Sequence, residues 1–113
     1  MTAAHIKSVS FDCADAGRLA AFWAAVLGSD VEEGATADKA FVEPAGWGGP
    51  SIWFTRVPEP KVAKNRVHLD LRAPDGDREA EVARLVALGA TVLARHDHLT
   101  VLADPEGNEL CVE

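Results

Sequence analysis

Apolar and polar positions alternate across residues 6–13, with Val9 and Phe11 on one side and Ser8, Ser10 and Asp12 on the other. Alternation of this kind predicts a half-buried strand. Asp15 is placed to cap a helix on which Leu19, Phe22, Trp23, Val26 and Leu27 recur at helical spacing, and Gly28 suits its left-handed end. Shorter strand-like pieces follow around Val31, over residues 40–43 and over residues 51–56. The glycine-rich stretch from Pro44 to Pro50 between them reads as a loop, and its Trp47 is placed to cover a cavity.

The pattern then repeats. Residues 57–65 carry Pro58 and Pro60 two apart, which favours an extended joint. Beyond it, residues 66–72 alternate, with Val67, Leu69 and Leu71 opposite His68, Asp70 and Arg72. Asp77 can cap a second helix bearing Val82, Leu85 and Val86 that ends at Gly89. Residues 91–94 and 99–103 read as strands. Asp104-Pro105-Glu106-Gly107-Asn108 is a turn, with proline preset for its second position and Gly107 free to take positive φ, and residues 109–113 close as a strand. At an offset of about 60 residues, Ser8 matches His68, Phe11 matches Leu71 and Asp15 matches Asp75; Leu27-Gly28 matches Leu88-Gly89 with one residue of slip. Each half therefore reads strand, helix, then three strands.

Each helix has one apolar stripe to lay on a sheet. That fixes Val9, Phe11, Ile52, Phe54, Leu69, Leu71, Leu110 and Val112 as the helix side. The opposite face then carries Ser8, Ser10, Asp12, Ser51, Trp53 and Thr55 in one half. In the other it carries His68, Asp70, Arg72, Glu109, Cys111 and Glu113. Antiparallel sheets often leave such a face in water. Trp53 argues for an occupant, because an indole among polar neighbours needs something to pack against, a ligand or a second subunit.

Composition narrows the classes. The chain has 113 residues, enough for one domain, with 48% hydrophobic and 26% charged residues, as in ordinary globular proteins. A formal charge of −7 argues against a nucleic-acid partner. Cys13 and Cys111 form no disulfide framework, residues 1–6 hold no signal-like apolar run, and residues 19–27 are too short an apolar stretch to span a bilayer. These features predict a cytoplasmic protein with no membrane partner. His96-Asp97-His98 has a spacing found in metal sites, but it falls where a solvated turn is expected. The loop at residues 46–50 lacks the lysine and hydroxyl of a phosphate loop. Cys111 beside His68 has the chemistry of a nucleophilic pair, although a buried, inert thiol suits the pattern as well.

Several of these pieces together resemble the glyoxalase/bleomycin-resistance (vicinal oxygen chelate) superfamily. They are Phe22-Trp23 running into Leu27-Gly28, the segment Arg66-Val67-His68-Leu69-Asp70-Leu71, Leu88-Gly89-Ala90, and Asp104-Pro105-Glu106-Gly107-Asn108-Glu109. The resemblance implies an α+β fold of two tandem βαβββ modules, residues 1–56 and 66–113 around a linker at 57–65, whose curved mixed sheets enclose a cup within a single domain. It also implies a homodimer. In metal-dependent members, histidines on first strands and glutamates on last strands hold a divalent ion that chelates substrate oxygens. Carried over position by position, His68 keeps its ligand type, Ser8 replaces its counterpart histidine, Cys111 replaces a glutamate, and the fourth position falls near Trp53 or Thr55. Such a set is poor for a hard cation.

Two functions follow. One is a small-molecule binder without the usual four-ligand metal, using Ser8, Trp53, Thr55, His68, Asp70, Arg72 and Cys111. The other is a metal-assisted lyase, isomerase or dioxygenase, with a divalent metal on His68 and a shifted carboxylate, Glu109 or Glu113. A purely structural dimerisation module is a third reading.

Overall fold

The computed structural model describes residues 2–46 and 48–113, and Trp47 lies outside them. The chain divides into two compact units, Met1–Pro60 and Lys61–Glu113. Each pairs a mixed sheet with one α-helix, which is the α+β architecture expected from the pattern.

In the first unit, β1 (Ser8–Cys13) leads into α1 (Ala16–Leu27), then β2 (Lys39–Val42) and β3 (Ser51–Arg56). The sheet order is β1-β3-β2, with β1 parallel to β3 and β2 antiparallel to it. Helix α1 forms where its caps and stripe dictate. The Asp15 carboxylate accepts the Arg18 amide at 3.1 Å, and Gly28 takes φ 64°, a left-handed value that a side chain would resist. Leu19, Phe22, Trp23 and Val26 are buried, and Phe11 and Phe54 of the sheet reach them: Phe11 lies 5.4 Å from Trp23 and 5.3 Å from Phe54, ring centre to ring centre. Side chains of this size contribute about 1.5–3 kcal/mol each on burial, so this aromatic cluster anchors the unit.

In the second unit, β4 (Leu69–Leu71) is followed by a short 3₁₀ turn (Pro74–Gly76), α2 (Arg78–Leu88), β5 (Thr91–Arg95), β6 (Thr100–Ala103) and β7 (Glu109–Val112). The order β4-β7-β6-β5 again places the first strand parallel to the last. Val82 and Leu85 of α2, with Leu102, Leu110 and Val112 of the sheet, form its buried centre. Asp77 caps α2 through the Ala80 amide at 3.1 Å. The turn before β7 is held by Asp104, whose Oδ1 accepts the amides of Glu106 and Asn108 at 2.9 and 3.0 Å, while Gly107 takes φ 89°. Among the described residues, no helix is long and apolar enough to cross a membrane.

Four local expectations change. Pairing in β1 begins at Ser8, and Ile6 is 78% exposed. The strand expected over residues 66–72 shrinks to Leu69–Leu71, because its partner β7 pairs only from Leu110 onward; Val67, ahead of that register, is 76% exposed and does not face the helix. On α2, Val86 is exposed, and the stripe consists of Val82 and Leu85. The piece around Val31 amounts to a single bridge to Val42. The helix caps also correct the internal alignment. Asp77 rather than Asp75 is the counterpart of Asp15, and Asp75 sits at φ 56° within the 3₁₀ turn that the second unit inserts.

Candidate functional site

The parallel pairing of first and last strands builds the face turned away from the helix in each unit. In the first, Ser8 opposes Ser51, Ser10 opposes Trp53 and Asp12 opposes Thr55. Antiparallel pairing with β2 adds two residues absent from the sequence-derived set, since Phe41 opposes Trp53 and Lys39 opposes Thr55. The Phe41 and Trp53 rings are 4.5 Å apart, and Lys39 Nζ lies 5.6 Å from the centre of the Trp53 ring. The two aromatic residues and Lys39 line an open groove of about 230 Å³ together with Glu32, Glu33 and Gly34. Trp53 is thus half-buried against its neighbours, with surface left over. The period-two spacing of Lys39 and Phe41 is a signal for this arrangement, but only the pairing of β2 with β3 shows which way it points.

In the second unit, Asp70 opposes Cys111 across the β4–β7 pair. His68, just before β4, places Nδ1 3.1 Å from Asp70 Oδ1. The imidazole, carboxylate and thiol each offer a ligand atom, and these atoms all lie within 4.8 Å of one another. His68 and Asp70 are open to solvent, with 39% and 57% of their side chains exposed, whereas Cys111 is 8% exposed. Burial pushes the Cys111 thiol up, and the nearby Asp70 charge pushes it further. Unassisted, it is a protonated thiol rather than a ready nucleophile. Arg72 is exposed beyond the end of β4.

The other two carboxylates stand outside this cluster. Glu109 is buried, and its oxygens meet Lys61 Nζ at 2.9 Å and the Asn65 amide at 3.1 and 3.4 Å. Glu113 follows β7 and is exposed; its backbone bonds to Leu71 and Ala73. The turn residues His96 and His98 are exposed beside β5 and β6.

The strand registers identify the equivalent positions in the two units. His68 corresponds to Ser8, Asp70 to Ser10, and Cys111 to Trp53. The tetrad that the resemblance carries over, Ser8, Trp53, His68 and Cys111, contains one imidazole and no carboxylate, and an indole cannot ligate. It does not fit the hard, oxygen-seeking ion of metal-dependent glyoxalases.

The sequence profile of the glyoxalase-like domain family matches residues 8–113. No curated protein matches significantly in sequence. Among solved structures, the chain is similar to a glyoxalase/bleomycin resistance protein/dioxygenase family enzyme from Burkholderia phytofirmans, with a TM-score of 0.77 at 18% identity over 96% of this chain and 97% of that one. It is also similar to the fosfomycin resistance protein FosX from Mesorhizobium loti, with a TM-score of 0.74 at 13% identity over 99% and 92% of the two chains. A variant of FosX from Listeria monocytogenes, complexed with Mn(II) and 1S,2S-dihydroxypropylphosphonic acid, gives a TM-score of 0.74 at 12% identity over 99% and 90%. At these identities the solved structures speak to the fold, and the family profile covers nearly the whole chain. The chain therefore belongs to the glyoxalase-like domain family of the vicinal oxygen chelate superfamily.

Proposed function

We propose that the protein binds a small organic molecule against Trp53, without the four-ligand metal of its metal-dependent relatives. The observation that carries this reading is the aromatic patch of Trp53 and Phe41 beside Lys39, at the edge of a groove of about 230 Å³. Ligand sites commonly combine apolar walls with a few fixed polar groups. Here the indole and phenyl rings are the walls, and Lys39, Glu32 and Glu33 are the polar groups. Ser8 and Thr55 extend the same face of the first sheet. His68, Asp70, Arg72 and Cys111 occupy the corresponding face of the second unit and are not needed for this reading.

The degenerate tetrad supports binding over the usual chelate chemistry. The alternative of a metal-assisted lyase, isomerase or dioxygenase on His68 with Glu109 or Glu113 has less behind it, since the Glu109 oxygens are already engaged by Lys61 and Asn65 and Glu113 is exposed past the end of β7. A homodimer in the cytoplasm belongs to the same reading, and sedimentation of the purified chain measures that assembly.

Isothermal titration of the full chain against a panel of metabolites and antibiotics tests the proposal. Fosfomycin and small phosphonates belong in that panel, given what the FosX neighbours are named for and hold. At least one compound should bind saturably, and Trp53→Ala should weaken it by about 2 kcal/mol, roughly thirtyfold, as removal of a central aromatic anchor does. No heat across the panel, or binding indifferent to Trp53→Ala, would refute it.

A further inference from the structure

We propose that His68, Asp70 and Cys111 form a three-ligand site for zinc or a comparably soft divalent cation, contained wholly within the second unit and leaving one coordination position open. This differs from the superfamily's tetrad, which draws one residue from each of four strands. Two of the present ligands come from one short stretch, two residues apart, and Asp70 occupies a position that contributes nothing to the tetrad. The site shares no residue with the groove proposed above and needs neither Trp53 nor its neighbours.

The β4–β7 register makes the arrangement. Parallel pairing sets Asp70 directly opposite Cys111, and residues at i and i+2 share a face, so His68 arrives on the same side. Its Nδ1 already points at Asp70 Oδ1, 3.1 Å away, and all three ligand atoms fall within 4.8 Å of one another. Tetrahedral zinc, with bonds of roughly 2.0–2.3 Å, holds its ligands roughly 3.4–3.7 Å apart. Closing the remaining gap takes rotation of the two solvent-facing side chains, while the thiol stays in its packed place.

The donor set decides which cation fits. A thiolate and an imidazole favour zinc and similarly soft ions, and one carboxylate is too few oxygens for Ca²⁺ or Mg²⁺. On binding, the Cys111 S–H bond breaks, its proton leaves to solvent, and sulfur donates its electron pair to the cation; no oxidation state changes. Three protein ligands leave the fourth position of a tetrahedral ion for water or a ligand oxygen, as in catalytic rather than structural zinc sites. The Cys111 end is walled by the sheet, and the His68 and Asp70 end faces solvent, so the open position is reachable.

Titration of the chelator-stripped full chain with Zn(II) and, for its spectrum, Co(II), tests this without any organic ligand. One equivalent should bind, and cobalt should show the near-ultraviolet absorption of a thiolate-to-metal charge transfer. Cys111→Ser should abolish that band. Asp70→Asn, at an exposed position that leaves the core untouched, should weaken zinc by at least about 10–100-fold, the loss that even an outer-shell change produces. His98→Gln should change nothing. Saturation at one equivalent with unchanged affinity in both Cys111→Ser and Asp70→Asn would overturn the assignment. So would a cobalt complex without the thiolate band, or a failure of zinc to bind, which would leave His68, Asp70 and Cys111 as a plain hydrogen-bonded cluster. None of these results bears on the Trp53 reading.

Discussion

Glu109 shows how much a single buried charge depends on residues distant in sequence. Its side chain is 9% exposed, and it sits between Lys61 Nζ at 2.9 Å and the Asn65 amide. Burial alone would raise its carboxyl, but the Asn65 amide and Lys61 outweigh that and hold it below the ordinary glutamate value. A carboxyl depressed in the folded state contributes stability above its unfolded pKa, and that contribution fades as pH falls through the folded value. Stability measured by urea unfolding should therefore lose a component below about pH 4. Glu109→Gln should remove that component and cost about 1–3 kcal/mol at pH 7, a range set by the unpaired partners left behind. Parallel pH profiles for the two proteins would show that the latch carries no energy. Alternation along β7 puts Glu109 among candidate oxygen ligands. Nothing in the pattern reveals that Lys61 and Asn65 reach it from the joint, more than 40 positions away. His68, Asp70 and Cys111 were legible as one face because period-two spacing is local, but their mutual approach required the β4–β7 register.

At the scale of elements, the helices were readable nearly to the residue, because caps and stripes are local signals. Asp15, Asp77, Gly28 and Gly89 mark the four helix ends. Each cap aspartate accepts an amide three residues on, at 3.1 Å, which satisfies one of the orphan donors of the first turn. Asp15→Ala and Asp77→Ala should each cost about 1 kcal/mol in urea unfolding, with the helical circular dichroism of the native protein unchanged. A loss near zero would mean that water replaces the carboxylate without penalty. Strands were less readable, since their length is set by partners that the sequence does not display. The stretch at 66–72 alternates cleanly yet pairs over three residues, and the piece at Val31 finds one bridging partner. The internal alignment is the weaker reading: it sets Asp15 against Asp75, whereas the cap expected and found is Asp77, because the second unit inserts the Pro74–Gly76 turn in which Asp75 takes positive φ.

At the scale of the whole molecule, the two units repeat one plan, first strand parallel to last with a helix between, and have diverged in chemistry on the face that plan creates. One unit places an indole where the other places a thiol, and a serine where the other places a carboxylate. Such divergence predicts two kinds of ligand, separable by substitution. An organic ligand at a hundred times its Kd should stabilise the folded chain by about 2.7 kcal/mol, a rise in Tm of roughly 10 °C for a domain of this size. Zinc should give its own shift in the absence of that ligand. Trp53→Ala, at the same ligand concentration, should cut the first shift to about a third and keep the second, and Asp70→Asn should reduce the second and keep the first, because neither residue belongs to the other's set of contacts. Thermal unfolding of the two variants, each with either addition, yields four numbers that decide the matter. If one substitution reduced both shifts, the division of labour between the indole face and the thiol face would be wrong, and a single shared binding event would have to replace it.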